Sequence, residues 1–351
     1  MGDTLRVGLV GIGNISRQYL DTLPRLPGVS LVAAADLDPA RTVPGVRMLR
    51  PDELYAADDV DVVLNLTIPQ AHAAVALSAI GAGKHVYGEK PLALSTVEGR
   101  EVLAAADAAG VRVGCAPDTV LGTGTQTARR CLDDGAIGTP VAATAFMVTP
   151  GHERWHPDPE FYYRPGGGPL FDMGPYYLTA LVTLLGPVRR VTGLASAPRA
   201  SRVIGSGPRA GTEFPVEVAT HVAGVLEHEG GAVTTLMMSF DVWAAALPRI
   251  EVYGTHGSLS VPDPNGFDGE VRLYEPDKEW REVPANAGYR DAGRGTGLAD
   301  LAAALAAGTE HRANGAVAYH VLDVMESLLR AAELGQAQNV TSTCPRPTPV
   351  P

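Results

Sequence analysis

The sequence predicts an α/β N-terminal domain with a doubly wound parallel sheet, followed by an α+β domain with a largely antiparallel, open sheet. The first prediction rests on short apolar runs that alternate with Ala-rich helical patterns. Several of these runs are apolar almost throughout, which is typical of strands buried on both faces. The second rests on a change near residue 140, after which strand-like segments follow one another across Gly, Pro and Asp turns.

The first third of the chain supplies the parallel sheet. Strand-like runs occupy residues 5–10, 29–35, 60–66, 84–88 and 111–116. Helical patterns lie between them, in SRQYLDTL, QAHAAVALSAIGAG and TVEGREVLAAADAAG. Two of these patterns stop at glycine, where a helix C-cap is expected. This alternation predicts a dinucleotide-binding domain over residues 1–122.

The rest of the chain predicts a second domain over residues 123–340. Its strand-like segments are PVAATAFMVT, VEVATHVAGVLEHE, GAVTTLMMSFDVW, RIEVYG, GSLSV and GEVRLYE. Helical patterns return in LADLAAALAAG and AVAYHVLDVMESLLRAAELG, while residues 197–212 have the composition of a loop. The Pro-rich segment 341–351 is expected to be a poorly ordered tail.

Composition narrows the partners that we expect. The 351 residues have a formal net charge of −11, and no long Lys/Arg run would overcome repulsion from a nucleic acid. No apolar stretch reaches membrane length, and the N-terminus lacks the basic start of a signal peptide. Cys115, Cys131 and Cys344 are widely spaced, which suits a reducing compartment. We therefore expect a cytoplasmic protein with neither a nucleic-acid nor a membrane partner.

A glycine turn follows the first predicted strand. Gly11-x-Gly13-x-x-Ser16 stands before a helical pattern, so backbone N–H groups and the helix N-terminus can approach a pyrophosphate. The third position is serine rather than glycine or alanine, and an ordinary glycine turn would have the same spelling. The expected cofactor contacts here are Gly11, Gly13, Asn14 and Ile15.

Asp36 ends the second predicted strand, 20 residues after Ser16. A carboxylate at this place can accept both ribose hydroxyls of an adenosine and would repel a 2′-phosphate. The sequence therefore favours NAD over NADP as the cofactor. Arg41 leaves NADP open, because arginine can bind a 2′-phosphate. The alternative for Asp36 is that it caps a loop in DLDPAR.

Lys90 directly follows another predicted strand, between Glu89 and Pro91. Ligands of open α/β sheets bind at the carboxyl edge of the strands. A lysine that is partly desolvated there exchanges protons closer to neutral pH than one in water. The alternative is a solvated surface lysine.

Several segments together resemble the glucose–fructose oxidoreductase / inositol dehydrogenase / MocA family. They are the glycine turn, TIPQAH at 67–72, AGKHV, EKP at 89–91, DDGAIG at 133–138 and GGGPLFDMGPYY at 166–177. The resemblance spans nearly the whole chain. It implies that Lys90 is the catalytic proton-transfer residue, with Glu89 beside it in the cofactor site. It also implies that Thr67, Pro69 and His72 line the cofactor cleft.

The segment Asp172-Met173-Gly174-Pro175-Tyr176 departs from the pattern of many family members. They have Asp-x-Gly-x-His, so tyrosine here replaces histidine. The resemblance implies that Asp172 orients the substrate and the lysine. Tyr176 is the expected proton-transfer partner of Lys90 if the lysine's charge lowers the pKa of the phenol. Alternatively, Asp172 caps a helix that begins near residue 174.

Residues 152–156, HERWH, have the spelling of a zinc-protease motif. That motif needs both histidines on one helix face, yet Gly151 precedes it and Pro157 follows it, and no third ligand continues it. We therefore expect a loop and no metal. Polar and aromatic groups of this loop suit sugar hydroxyls, although each can also pack in the core; they are His152, Trp155, His156, Tyr162, Tyr163 and Arg164. Asp118, after the last strand of the first domain, is expected to face the same cleft or to cap a helix.

These features predict an NAD-dependent oxidoreductase that oxidises a secondary hydroxyl of a sugar, glycoside or cyclitol. One alternative is a glycoside hydrolase that uses transient oxidation, elimination and re-reduction, as some relatives do. Another is a nucleotide-responsive binding protein without catalysis. An antiparallel sheet can bury one face and offer the other, so we also expect a homo-oligomer, a dimer or tetramer.

Overall fold

The computed structural model of the protein describes residues 4–351. The chain folds into two compact units. The first comprises the chain up to Gly122 together with Tyr289–Leu322, and the second comprises Thr123–Gly288 and Asp323–Pro349. The predicted domain over residues 123–340 is therefore not contiguous, because residues 289–322 pack with the first unit.

The first unit contains a parallel sheet with helices between its strands. The strands are β1 (Leu5–Val10), β2 (Val29–Ala35), β3 (Arg47–Leu49), β4 (Val62–Asn65), β5 (His85–Gly88) and β6 (Val113–Cys115). The helices are α1 (Ser16–Thr22), α2 (Pro51–Ala56), α3 (His72–Gly81) and α4 (Thr96–Ala109). Across the sheet the order is β3-β2-β1-β4-β5-β6, and the neighbouring strands are parallel. The doubly wound Rossmann arrangement predicted from the sequence is confirmed.

Burial explains why these runs are strands. β4 is buried along its whole length, and Val7 and Leu9 of β1 have no exposed surface, so both sheet faces are covered. Helix α4 has the predicted termini: Ser95 accepts the backbone N–H of Glu98, and Gly110 ends the helix at φ +67°. The short β3 and α2 were not predicted from the sequence.

The second unit contains a mixed sheet packed against helices. Its helices include α5 (Thr123–Asp133) and α6 (Gly168–Leu185). Its main strands are β7 (Pro140–Val148), β8 (Val188–Ser196), β11 (His221–His228), β12 (Val233–Ser239), β13 (Ile250–Gly254), β14 (Ser258–Val261), β15 (Val271–Tyr274), β16 (Arg281–Val283) and β17 (Gln338–Asn339). The order is β16-β15-β14-β13-β7-β12-β11-β8-β17. β7 and β12 are parallel and the other pairs are antiparallel, which confirms a largely antiparallel sheet.

Two details of this unit correct the sequence analysis. Residues 197–212 are not wholly loop, because β9 (Ser201–Val203) pairs with β10 (Glu213–Pro215) in a separate antiparallel hairpin. Helix α6 begins at Gly168 rather than near residue 174, so Asp172 lies inside the helix and does not cap it.

Two further helices complete the fold: α7 (Thr296–Ala307) in the first unit and α8 (Gly315–Leu334), which contributes to both units. In the second unit, α8 packs closely on the sheet at a cross-strand glycine pair, Gly193 and Gly224. A Cβ atom at either glycine would lie 2.8 or 2.5 Å from Cδ1 of Leu328, respectively. Glycine at both positions therefore allows the helix to approach the strands.

The C-terminal segment 341–351 is not the poorly ordered tail that its composition predicted. Asp323 of α8 accepts the backbone N–H groups of Thr341 and Ser342 at 3.0 and 2.8 Å. Arg346 donates to the carbonyl oxygens of Thr183 and Leu184 at the end of α6. These side-chain bonds, which composition does not reveal, attach the segment to the second unit.

Candidate functional site

The glycine turn after β1 combines a close backbone contact with open space. Gly11 has φ +96°, and a Cβ there would lie 2.8 Å from the carbonyl group of Leu66, so a larger residue is excluded. A Cβ at Gly13 would have no atom within 4 Å. Ser16 starts α1 and donates its hydroxyl to the Gly13 carbonyl at 2.7 Å. The other predicted contacts of this turn are at least partly exposed: Asn14 and Ile15.

Asp36 follows β2 and is bonded to the glycine turn. Its Oδ2 accepts the N–H of Ile12 at 2.6 Å, and its Oδ1 accepts the N–H of Asp38 at 2.9 Å. Arg41 Nη1 lies 3.7 Å from Oδ2. Each carboxylate oxygen has a second lone pair, so Asp36 can hold the turn and still accept a ribose hydroxyl. The turn and this carboxylate fit a dinucleotide.

Lys90 is connected through two hydrogen bonds to α1, the helix that follows the glycine turn. Tyr19 of α1 donates its phenol proton to Oε1 of Glu89 at 2.8 Å, and Oε2 of Glu89 accepts the backbone N–H of Lys90 at 3.1 Å. Burial, and then the charge of Glu89, raise the pKa of Tyr19, so the phenol stays a donor. Glu89 is only 7% exposed, so its carboxylate faces these two donors rather than solvent. Lys90 itself is half-buried.

His72 connects TIPQAH and EKP, two of the segments on which the family resemblance rests. Its Nδ1 lies 2.7 Å from the Pro91 carbonyl oxygen and its Nε2 lies 3.0 Å from the Thr67 carbonyl oxygen. Burial lowers the pKa of His72, and outweighs the two carbonyl acceptors that favour the charged ring. The ring is 2% exposed, so its geometry supports positioning rather than ligand contact. Thr67 and Pro69 are half-buried at the same sheet edge.

Asp118, which follows β6 in the chain, is buried beside the N-terminus of α7. Its Oδ2 accepts the backbone N–H groups of Gly295 and Gly297 at 2.9 and 3.0 Å. The side chain has no exposed surface, and burial raises its pKa. Of the two roles that the sequence left open, the structure favours helix capping over a place beside the substrate.

In the second unit, His152 and Asp172 form a pair that the sequence did not reveal. His152 Nε2 lies 2.9 Å from Oδ2 of Asp172, and the two side chains are 14% and 15% exposed. The imidazole lies against the rings of Trp155, Tyr162 and Phe240, with centroid separations of 5.3, 4.6 and 4.5 Å. His152 Nδ1 is buried and has no hydrogen-bond partner within residues 4–351. The aromatic rings therefore fix the imidazole against Asp172.

The remaining predicted residues of this unit differ in accessibility. Tyr176 lies one helical turn after Asp172 on α6 and is 5% exposed. Trp155 is 58% exposed, and Arg164 is also exposed. His156 is half-buried, and its Nδ1 accepts the N–H of Asp158 at 3.1 Å. Trp155 and Arg164 are thus the most accessible of the predicted sugar contacts.

Glu153, the acid of HERWH, belongs to a buried ionic network. Arg202 donates to Oε1 of Glu153 at 2.8 Å and to Oδ1 of Asp241 at 2.5 Å. Tyr163, which has no exposed surface, donates to the other Glu153 oxygen, so Tyr163 packs in the core. The segment His152–Arg154 forms a 3-10 turn instead of an α-helix. Glu153 is therefore committed to Arg202 and Tyr163. Residues 4–351 contain no group of three or more His, Cys, Asp or Glu side chains arranged for a metal.

Comparison with known proteins assigns the chain to a family. Residues 5–116 match a family model described as an oxidoreductase family with an NAD-binding Rossmann fold. Residues 125–260 match the model of the GFO/IDH/MocA C-terminal domain. The chain belongs to the GFO/IDH/MocA family. It is thereby an NAD-binding oxidoreductase, and the resemblance seen in the sequence is confirmed.

Two curated relatives illustrate the similarity. The chain is 30% identical to 1,5-anhydro-D-fructose reductase of Ensifer adhaerens, over 72% of this chain and 74% of that protein. It is 28% identical to D-xylose dehydrogenase of Paenarthrobacter nicotinovorans, over 74% of this chain and 72% of that protein.

Solved structures share the fold. An NAD-binding oxidoreductase from Klebsiella pneumoniae superposes with a TM-score of 0.84 at 24% identity, covering 96% of this chain and 99% of that one. Levoglucosan dehydrogenase in complex with NADH and L-sorbose gives a TM-score of 0.81 at 21% identity, covering 97% and 100%. Within residues 4–351, no helix has both the length and the apolarity needed to cross a membrane.

Proposed function

We propose that the protein is an NAD-dependent dehydrogenase that oxidises a secondary hydroxyl of a sugar, glycoside or cyclitol. The observation that supports this most is the connection from Tyr19 through Glu89 to the backbone of Lys90. β1, β4 and β5 are neighbours in the parallel sheet, so the glycine turn, Thr67 and Lys90 follow strands that end at one sheet edge. A lysine fixed there is suited to proton transfer beside a bound dinucleotide.

The cofactor site is formed by the segments that follow these strands. Backbone N–H groups of the glycine turn at Gly11, Gly13, Asn14 and Ile15 would hold the pyrophosphate, and Asp36 the ribose. Thr67 and Pro69 line the same edge, with His72 and Glu89 in positioning roles. When bound, NAD supplies the hydride acceptor.

The chain's own residues supply proton transfer and substrate orientation. Lys90 receives the proton of the substrate hydroxyl, with Tyr176 as its partner. Asp172 orients the substrate and the lysine, and His152 fixes the Asp172 carboxylate through the 2.9 Å contact. A carboxylate fixed by a neighbouring N–H loses less entropy when it binds a substrate hydroxyl.

The loop groups and the relatives support the proposed substrate class. Trp155, His156 and Arg164 supply an aromatic face and polar groups that suit a ring with several hydroxyls, while His152 acts through Asp172. The curated relatives named above are a sugar reductase and a sugar dehydrogenase. Tyr163 and Asp118 are buried in other roles and are not needed for this contact.

A panel of sugars, glycosides and cyclitols tested with NAD and with NADP examines this proposal. We expect net NADH formation with at least one panel member, and a weaker response with NADP. Release of an aglycone with catalytic NAD and no net NADH would instead indicate the redox-neutral hydrolase. Tight NAD binding without turnover on the whole panel would indicate a binding protein.

The second unit also has a sheet face suited to self-association. Leu194, Val225 and Val233 lie on one face of β8, β11 and β12 by strand pairing, and they are 72%, 40% and 40% exposed. Apolar residues grouped on an open sheet face are typical of an interface. The protein is expected to form a homodimer or homotetramer through this face. Light scattering after size-exclusion chromatography tests this, and Val225→Glu should shift the protein toward the monomer.

A further inference from the structure

The second unit has a cavity whose lining contains none of the residues assigned to proton transfer or substrate orientation above. It has a volume of about 360 Å³. Pockets that hold small molecules in proteins usually have volumes of about 300–1,000 Å³. Its lining includes three arginines and an aromatic ring: Arg154, Arg199, Arg202 and Trp243.

Two of these arginines have no acidic partner. Arg154 and Arg199 are exposed, and neither makes a hydrogen bond or ion pair with any residue in 4–351. The acids closest to the cavity are already bonded, since Arg202 binds both Glu153 and Asp241. Two uncompensated guanidinium groups therefore remain at one cavity of a chain whose formal net charge is −11.

Other hydrogen bonds of this network occupy the remaining carboxylate oxygens of Glu153 and Asp241, so these acids are not available to pair with Arg154 or Arg199. Tyr163 donates to the second oxygen of Glu153, and Thr220 donates to Oδ2 of Asp241 at 2.5 Å. Ser201, which also lines the cavity, donates to Glu213 of the paired strand. The Nε atom of Arg202 is buried and has no acceptor among the described residues.

Trp243 gives the cavity an aromatic wall and orients one arginine. The guanidinium carbon of Arg154 lies 4.6 Å from the centroid of the Trp243 ring, and this ring is 64% exposed. A guanidinium held against an aromatic ring loses less conformational freedom when it binds an anion. Sugar rings pack their apolar faces on indole in the same way as other apolar groups do.

We propose that this cavity binds a sugar that has an anionic substituent, with Arg154 and Arg199 holding the anion and Trp243 contacting the ring. The anion is a carboxylate or a phosphate, both of which guanidinium groups bind through paired N–H donors. That such a sugar is also the substrate rests on the proposed function, whereas its binding here does not.

The position of the cavity supports a link to the reaction. Arg154 and His152 lie two residues apart on the same 3-10 turn, where His152 contacts Asp172 and Arg154 contacts Trp243. A ligand in the cavity would therefore contact the turn that fixes Asp172. An anion site at this place narrows the proposed substrate class to acidic or phosphorylated sugars, or to glycosides that contain such a unit.

Calorimetric titration of the full chain without NAD tests the proposal. The probes are D-glucuronate, D-glucose 6-phosphate, neutral D-glucose and inorganic phosphate. We expect at least one sugar anion to bind more tightly than both D-glucose and inorganic phosphate. Whether D-glucuronate or D-glucose 6-phosphate binds more tightly then shows whether the cavity prefers a carboxylate or a phosphate. Arg154→Gln and Arg199→Gln should each weaken this binding by about tenfold, the effect of one hydrogen bond to a charged group.

Matched variants separate the cavity from general charge effects and from the reaction. Arg272→Gln removes one exposed arginine of β15 outside the cavity and should leave the binding unchanged. Trp243→Leu should weaken binding of the sugar anion more than binding of inorganic phosphate, because only the sugar loses a ring contact. Turnover is measured separately with the sugar panel and NAD, so a failure of the proposed reaction is distinguishable from a failure of this binding.

Three outcomes would overturn the proposal. Binding of neither sugar anion would exclude the site. Equal affinity for inorganic phosphate and for both sugar anions would indicate an adventitious ion only. Binding that Arg154→Gln and Arg199→Gln leave unchanged would place the anion elsewhere on the protein.

Discussion

Nε2 of His152 lies 2.9 Å from Oδ2 of Asp172, although the two residues come from a 3-10 turn and from the second turn of α6. In the sequence, Tyr176 stands where many family members have the histidine of Asp-x-Gly-x-His. A histidine from a different segment therefore contacts the same aspartate. The structure gives it the geometry of a positioning residue, since its other ring nitrogen is buried against aromatic rings.

Replacement of His152 should reduce turnover without unfolding the protein. His152→Leu removes the group that fixes Asp172, and misplacement of a reacting group can cost about 100-fold. We expect kcat to fall by about 10- to 100-fold on the best substrate of the panel, with a smaller change in KM. His152→Gln keeps an N–H donor and should recover most of the rate. Wild-type kcat in His152→Leu, with an unchanged circular dichroism spectrum, would contradict this role.

Asp118 should affect stability rather than substrate binding. Asp118→Ala leaves the N–H groups of Gly295 and Gly297 without their acceptor, which should lower the free energy of unfolding by about 1–3 kcal/mol. Urea unfolding measures this loss. If Asp118 instead contacts substrate, KM would rise in Asp118→Ala, a result that capping does not predict.

The pH dependence of Asp118→Asn tests the same assignment. Folding raises the pKa of Asp118 through burial, so the folded state binds this proton more tightly than the unfolded state. The ionised carboxylate therefore costs stability at neutral pH, and the cost disappears as the pH falls below the ordinary carboxyl pKa. Asp118→Asn should be at least as stable as wild type at neutral pH and lose that advantage in acid.

Asp36 should determine both cofactor affinity and cofactor choice. Asp36→Ala removes the acceptor of the Ile12 N–H and the expected ribose contact, so NAD binding should weaken by about tenfold or more. NADP binding should weaken less, because Arg41, 3.7 Å from Asp36, is released toward the 2′-phosphate. Fluorescence titration of both cofactors measures the ratio. Addition of Arg41→Ala should abolish the relative gain for NADP, and an unchanged NAD/NADP ratio in Asp36→Ala would exclude this role.

His72 should make the first unit sensitive to acid. Burial lowers the pKa of His72, so the unfolded state binds more protons and stability falls as the pH drops below the ordinary histidine value of about 6.5. His72→Gln should flatten this part of the stability curve. His72→Leu, which removes the contacts to Thr67 and Pro91, should cost about 1–3 kcal/mol at neutral pH. Identical pH profiles of unfolding for wild type and His72→Gln would contradict this account.

The sequence predicts the fold well where the hydrophobic pattern extends over a whole element. The runs over residues 5–10 and 29–35 coincide with β1 and β2, because strands buried on both faces need continuous apolar residues. β3 has three residues, too few to show a period. The return of residues 289–322 to the first unit depends on tertiary packing, which no local pattern encodes.

The residues of the candidate site also divide into those that local sequence patterns predict and those that depend on long-range contacts. The glycine turn and Lys90 stand beside strands, so their place at the sheet edge follows from the strand prediction. The pairs His152–Asp172 and Glu153–Arg202 join residues 20 and 49 positions apart, and such contacts leave no periodic signal in the sequence. Composition also misjudged the C-terminal segment, because its attachment depends on Asp323 and Arg346.

Lys90 is expected to receive the substrate proton during NAD-dependent oxidation. A comparison of wild type and Lys90→Met for NADH formation on the best panel substrate tests this role, with NAD affinity measured on the same samples. General acid–base catalysis contributes about 10²- to 10⁴-fold, so we expect a loss of turnover of that size with NAD binding near that of the wild type. Wild-type turnover by Lys90→Met would contradict the account.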